Sequence, residues 1–398
     1  MDAELEFEDI TFEDFDDRIR VNFLRNYYFE VEKSELGEIA EFRIKANKLI
    51  FGTNEKRARN KFNLILLRGL ANLKNKIGGK NTVYITRDSG IPLIGNTAFG
   101  LVDRNTSLIE VKPMTGCNLS CVFCSVDEGR EGKWVTDFIV EPNYLIEEFR
   151  KLAEFKDCEL EAHIGTHGEP LLYPKLVELV RGLADINGVK RVSMDTNGTL
   201  LTKKLIDELA EAGMSCINLS LNAIDRQVAN KLAGCAYNID HVLEMARYAK
   251  AKLGLLIAPV WVPGINDEEL SKLIELSKEL GVRIGIQNFL GYKYGRNPVK
   301  AAGWELFYEK LRKLEKEYSI KLIFSEEDFL IKKTKQLPRP FRKGQTINAE
   351  VVCDGRLKGE KIAVADGRSI SIPDCPKKGR IRLRLTRDKH NIFFGKCI

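Results

Sequence analysis

The chain has 398 residues, 44% hydrophobic and 30% charged, a globular composition too long for one ordinary core, so two or three domains are expected. No apolar stretch of about 18 residues is present, so no membrane span is expected. The acidic N-terminus is not that of a secretory signal, and nine cysteines then point to a reducing cytoplasm. The net charge of +6 is uneven: residues 331–398 carry 18 Lys/Arg against 6 Asp/Glu, a net of +12, which leaves −6 for the rest.

Residues 1–17 hold nine acids and no base, interleaved with Phe7, Phe12 and Phe15, and read as either disordered or a docked acidic arm. Leu66, Leu70, Leu73 and Ile77 recur at helical spacing, which predicts a helix over residues 60–77. Residues 81–86 and 99–102 read as strands around a Gly/Pro turn. Nothing in this region carries chemistry.

From residue 107 the pattern becomes regular. Strands are expected at 107–111, 158–165, 190–195, 214–221, 253–261 and 282–289. Helices are expected at 143–155, 174–186, 202–212, 238–252, 267–280 and 303–318. Six strand–helix repeats imply parallel strands with right-handed crossovers. The apolar runs read as near-continuous, as for strands covered on both faces. Six such units make a partial eight-fold barrel, whose chemistry belongs at the C-terminal strand ends.

Those ends hold the unusual residues. The first leads into Cys117-x3-Cys121-x2-Cys124. Three thiolates so close can hold three irons of a [4Fe–4S] cluster and leave one iron open. A zinc site or three core thiols are the alternatives, but zinc takes four ligands and no second pair follows at suitable spacing. The second strand ends at Thr166-His167-Gly168-Glu169-Pro170, the third at Asp195-Thr196-Asn197-Gly198, and the fourth at Ser220-Leu221-Asn222. Asn197-Gly198 is also an ordinary turn pair. The Val262–Asp267 loop reads as a turn plus N-cap or as a ligand contact, and Gln287 is a candidate for the barrel interior. His163 and His167 lie on a strand and its loop, so helical i, i+4 metal geometry does not apply to them.

Cys117-x3-Cys121-x-Phe123-Cys124 resembles the signature of the radical S-adenosylmethionine (radical SAM) superfamily. The resemblance implies that the open iron chelates S-adenosylmethionine, whose reductive cleavage gives methionine and a 5′-deoxyadenosyl radical. It implies that Phe123 lies against the adenine. Gly168, Glu169 and Pro170 resemble the family's Gly-Gly-Glu-Pro element, which faces the cofactor's amino group, with His167 standing where the first Gly is usual. Asn197, Ser220 and Asn222 are expected near the ribose and the methionine carboxylate. His167 is also a candidate substrate-side acid or base.

Beyond Leu337 the pattern changes to five short strands, at 344–353, 361–364, 369–373, 379–386 and 391–394, which suggests a small closed barrel of the OB type. It resembles TRAM domains, which bind RNA in tRNA-modifying enzymes. Arg380, Arg382 and Arg384 alternate and so share one face. With Arg387 and Lys389 that face would track a phosphate backbone, and Phe393 and Phe394 are the nearby candidates for base stacking. Cys353, Cys375 and Cys397 lack ligand spacing and read as core, as do Cys158, Cys216 and Cys235; Cys397 is also a weaker candidate for a methyl-carrying thiol.

The sequence thus predicts an α/β chain: an N-terminal α+β extension (1–100), a partial (βα)6 radical SAM barrel (101–325) and a TRAM-like β-barrel (338–398). The expected cofactors are a [4Fe–4S] cluster and S-adenosylmethionine. The expected partners are tRNA or rRNA and an electron donor such as a ferredoxin or flavodoxin. Residues 1–116 contain no Cys, which counts against tRNA methylthiotransferase chemistry, because that subgroup carries an N-terminal three-Cys cluster. Hydrogen abstraction from a nucleotide in RNA is the leading reading. A maturase acting on a peptide or small molecule, and an RNA-binding protein with a structural cluster, are the alternatives.

Overall fold

The computed structural model describes residues 2–129 and 132–398, which form two compact units. The first comprises residues up to Ile85 together with Val135–Ile139. The acidic N-terminus is ordered. Ala3–Glu6 and Ile10–Asp14 are strands that bury Ala3, Leu5, Ile10 and Phe12 and expose the acids between them. Lys48 pairs with Glu4 and Glu6, Arg20 with Glu13, and Lys33 with Asp14, so bases from later elements meet the acidic charge, as the docked arm requires. Ala3–Glu6 belongs to a three-stranded sheet and Ile10–Asp14 to a six-stranded one. The longer helix of this unit spans Glu55–Leu70, capped by Asn54, whose side chain accepts from Arg57 N at 2.9 Å. It therefore ends before Leu73 and Ile77, which the periodicity had included.

The second unit carries the repeats. Strands β1 (Leu108–Lys112), β2 (Leu160–Ile164), β3 (Val189–Thr196), β4 (Cys216–Leu219), β5 (Gly254–Ile257) and β6 (Arg283–Ile284) pair in parallel in sequence order, and Gly100–Asp103 adds an antiparallel strand beside β1. Helices α1 (Pro142–Lys156), α2 (Leu176–Ala184), α3 (Lys203–Glu211), α4 (Ile239–Lys250) and α5 (Glu269–Leu280) alternate with them, and α6 (Trp304–Tyr318) follows β6.

The strands are not apolar on both faces. Ile109, Val111, Ala162, Ile164, Val192, Met194, Ile217 and Leu219 are buried. The alternate positions are polar: Glu110 and Lys112, Glu161 and His163, Ser193 and Asp195, Asn218 and Ser220. Those polar residues share the inner face by the period of two, where Glu161, His163, Asp195 and Asn218 help to line a cavity of about 370 Å³.

The C-terminal segment folds as a closed barrel of β7 (Thr346–Asp354), β8 (Lys361–Ala365), β9 (Arg368–Ile372), β10 (Gly379–Arg387) and β11 (Phe394–Cys397), in the order β7–β8–β9–β11–β10. Its core includes Phe341, Ile370, Ile372, Cys375, Leu383 and Phe393. It belongs to the same compact unit as the parallel sheet. Ser369 N donates to Ile94 O at 3.0 Å and Phe393 N to Gly95 O at 2.9 Å. Gly95 has φ +133°, and a Cβ there would sit 2.0 Å from Ser369 O, so only glycine permits this approach. The buried Lys156 ammonium holds the linker, bonding Asp103 at 2.8 Å, Thr334 Oγ1 at 2.9 Å and Lys335 O at 2.6 Å. Among the described residues no helix is long and apolar enough to cross a membrane.

Candidate active site

The cysteine loop starts where β1 is extended. Thr115 and Gly116 pair in parallel with His167 and Gly168, so the loops after β1 and β2 are joined at their roots. Gly168 has φ +141°, and a Cβ there would lie 1.9 Å from Gly116 O. This explains why glycine precedes Glu169. The loop's far side rests on the helix Arg226–Ala233, with Ser120 N and Val122 N donating to Ala233 O and Leu232 O, both at 3.0 Å.

Backbone amides and arginines shape the loop. Leu119 N donates to Cys117 Sγ at 3.4 Å and Glu128 N to Cys124 Sγ at 3.3 Å. Arg296 donates to Cys121 O at 3.0 Å, to Glu128 O at 2.7 Å and to Asp127 Oδ1 at 2.6 Å. Arg356, from the turn between β7 and β8, reaches Thr115 and Glu128. Neither arginine was singled out from the sequence.

A cavity of about 370 Å³ opens at these strand ends. Its wall includes Cys117, Cys121, Cys124, Phe123, Gly168, Glu169, Asn197, Ser220, Asn222 and Gln287, ten sequence-predicted residues brought together. Pro170 is buried behind it at the start of the turn Pro170–Leu172, and His167 is not on the wall. Burial, then Lys112, pushes the His167 imidazole down to about 3. The histidine that does reach a wall residue is His163, with Nε2 3.1 Å from Asp195 Oδ2 and Nδ1 2.8 Å from Ser193 Oγ. Burial works to lower its pKa, but the Asp195 carboxylate raises it on balance.

The polar wall is internally braced. Glu169, 1% exposed, accepts from Thr196 Oγ1 at 2.6 Å, Leu171 N at 3.0 Å and Asn197 N at 2.8 Å. Burial nevertheless pushes its carboxyl up to about 7. Asn197 Nδ2 donates to Asn118 Oδ1 at 3.0 Å, which ties the β3 loop to the cysteine loop. Asn222 Oδ1 accepts from Val260 N at 2.8 Å, linking the β4 and β5 loops.

Residues 111–277 match the model of the Radical SAM superfamily. Over 370 residues the chain is 43% identical to an uncharacterized protein of Methanocaldococcus jannaschii, covering 84% of this chain and 85% of that one. The chain belongs to the radical SAM superfamily. It is also 30% identical over 217 residues to the GTP 3′,8-cyclase of Thermodesulfovibrio yellowstonii, covering 52% of this chain and 62% of that enzyme. Against a probable GTP 3′,8-cyclase of Saccharolobus islandicus it spans 51% of the relative's length, at 37% identity. The crystal structure of Streptococcus suis SuiB aligns with a TM-score of 0.43 at 16% identity, over 80% of this chain and 71% of that one.

Radical SAM enzymes use a [4Fe–4S] cluster and S-adenosylmethionine, and this cavity fits both. Burial pushes the Cys121 thiol up to about 12 and Cys117 and Cys124 upward, with Arg296 opposing it at Cys121 and Cys124. Buried thiols of this kind become thiolates beside a cation, which iron supplies. Three buried wall atoms make no hydrogen bond within the protein among the described residues: Glu128 Oε2, Thr166 Oγ1 and Asn288 Oδ1. They are suited to a polar ligand such as the amino-acid and ribose groups of S-adenosylmethionine. When bound and reduced, the cluster supplies the electron that cleaves S-adenosylmethionine. The protein's part is to hold three thiolates, brace the wall and keep the loops after β1, β2 and β3 in register.

The basic strand lies on the C-terminal barrel. Along β10, Arg380, Arg382 and Arg384 are exposed while Ile381, Leu383 and Leu385 point into the core. Arg387 and Lys389 are exposed beyond them. Phe393 is fully buried in that core, which removes it as a stacking platform, and Phe394 is half-buried. Of the other cysteines, Cys216 and Cys375 are buried, whereas Cys158 and Cys235 are exposed rather than core. Cys158 falls in the turn before β2 and Cys235 just after the helix Arg226–Ala233, positions that periodicity does not bury.

Proposed function

We propose that this radical SAM enzyme abstracts hydrogen from a nucleotide of structured RNA, tRNA or rRNA, in the cytoplasm, with the electron delivered by a ferredoxin- or flavodoxin-type donor. The observation that carries this reading is the arginine face of β10 on a closed five-stranded barrel. In this reading the five-stranded barrel serves as a TRAM-like RNA-binding domain, and three guanidiniums at alternate positions match the repeat of a phosphate backbone better than a compact ligand. In this reading Phe123 lies against the adenine, and Gly168, Glu169 and Pro170 set the pocket for the amino group. Ser220 faces the cofactor's polar groups, while Asn197 and Asn222 hold the wall in shape.

A free purine nucleotide is the second reading, favoured by the identity to GTP 3′,8-cyclases. Binding separates the two. Bulk tRNA should bind the full chain with a steep salt dependence. Replacing Arg380, Arg382 and Arg384 by Ala should lower the slope of log K against log salt by about 2–3. Binding of GTP but not tRNA, or tRNA binding untouched by the triple substitution, would overturn the RNA reading. Deleting residues 338–398 is the wrong test, because that segment also carries Arg356.

A further inference from the structure

Arg356 does not face solvent with the other arginines of the C-terminal barrel. It is 5% exposed. One nitrogen, Nη1, donates to Thr115 Oγ1 at 2.8 Å, and Nη2 pairs with the Glu128 carboxylate. The guanidinium carbon lies 4.9 Å from the centre of the Trp134 ring. Thr115 stands two residues before Cys117, and Glu128 stands four after Cys124. A single rigid fork thus closes the cysteine loop across its base.

Glu128 is equally buried, at 2% exposure, and its backbone is spent on the same loop: its N–H meets Cys124 Sγ and its C=O meets Arg296. Glu128 is one of the residues lining the cavity. Burying a guanidinium and a carboxylate costs several kcal/mol per ion unless the pair is well made. Burial pulls the Arg356 guanidinium down to about 9, with Glu360 opposing the shift. A lysine could not replace it, since an ammonium is a point charge that cannot span two acceptors with fixed geometry.

We propose that Arg356, carried by the C-terminal barrel, is a positioning residue that acts through Thr115 and Glu128 to hold the cysteine loop in the shape that takes the cluster and S-adenosylmethionine. The C-terminal barrel is then a built-in part of the cofactor site, whatever substrate it also contacts. The inference rests on superfamily membership and is independent of the RNA reading.

The test uses the full-length chain, reconstituted anaerobically, as wild type, Arg356→Lys, Arg356→Gln and Arg356→Gln/Glu128→Gln. Three quantities are read: iron per chain, thermal melting, and the change that S-adenosylmethionine produces in the electron paramagnetic resonance spectrum of the reduced cluster. Arg356→Gln should keep at most half the iron and need at least tenfold more S-adenosylmethionine for the spectral change. Arg356→Lys, which keeps the charge, should fold and show the same tenfold shift; it carries the test where Arg356→Gln fails to fold. The double variant, with no charge stranded, should melt above Arg356→Gln yet still lack the normal spectral response. A wild-type response in Arg356→Lys, or recovery of both melting and response in the double variant, would reduce Arg356 to a stabilising residue and overturn the proposal.

Discussion

Arg296 donates from Nη1 to the carbonyl oxygen of Cys121 at 3.0 Å, across 175 residues of sequence. The same side chain bonds Glu128 O and the Asp127 carboxylate, so one guanidinium ties together three points of the segment from Cys121 to Glu128. Charge-assisted bonds of this kind are worth about 1.5–3 kcal/mol each when a partner is stranded. Arg296→Ala should therefore destabilise the chain by roughly 3 kcal/mol and lower the iron retained after anaerobic gel filtration. Unchanged iron and unchanged chemical denaturation would show that the loop is set by its own turns.

Gly168→Ala tests the joint between the first two loops. The added methyl would meet Gly116 O at 1.9 Å on a backbone with φ +141°, so the pairing of Gly116 with Gly168 should break. The expected outcome is a chain that loses most of its iron and shows at least tenfold weaker S-adenosylmethionine binding by equilibrium dialysis. Wild-type values in both would mean that the Gly-Glu-Pro loop does not depend on that joint.

Glu169 gives a pH prediction. Burial holds its carboxyl near 7 against an ordinary 4.5, with Asp195, Cys117 and Tyr237 the titratable groups facing it. The folded chain then binds this proton more tightly than the unfolded chain. The sign follows: stability is lost as pH rises from about 4.5 to about 7 and is flat above that, with a span of about 3 kcal/mol. Glu169→Gln does not titrate. Its melting temperature relative to wild type should rise between pH 5 and pH 8, whatever the offset from altered hydrogen bonds. A gap that is constant, or that moves the other way, would place the Glu169 pKa at or below its ordinary value.

Much of this was readable in the sequence, for physical reasons. The cysteine spacing is local, and the strand–helix repeats are long and regular, so both survive translation into structure. The polar inner face is masked in the sequence because the buried apolar residues of each strand dominate its overall character. Position by position, Glu161/His163 and Ser193/Asp195 alternate with Ala162/Ile164 and Val192/Met194, and that alternation marks one polar face. The N-terminal acids leave disorder and a docked arm equally open in the sequence, because their partners Arg20, Lys33 and Lys48 lie outside the segment. Arg296 and Arg356 could not be found by pattern, since each meets the cysteine loop only through the tertiary fold, from more than 160 residues away.

We propose that the Cys117–Cys124 loop serves radical chemistry on an RNA nucleotide. The most direct measurement is 5′-deoxyadenosine released from S-adenosylmethionine by the anaerobically reconstituted, dithionite-reduced chain, with and without bulk tRNA and rRNA. Release by the wild type, its absence in Cys117→Ala, and a severalfold increase on adding RNA are predicted. No release from the wild type, or release that RNA leaves unchanged while GTP raises it, would contradict this proposal.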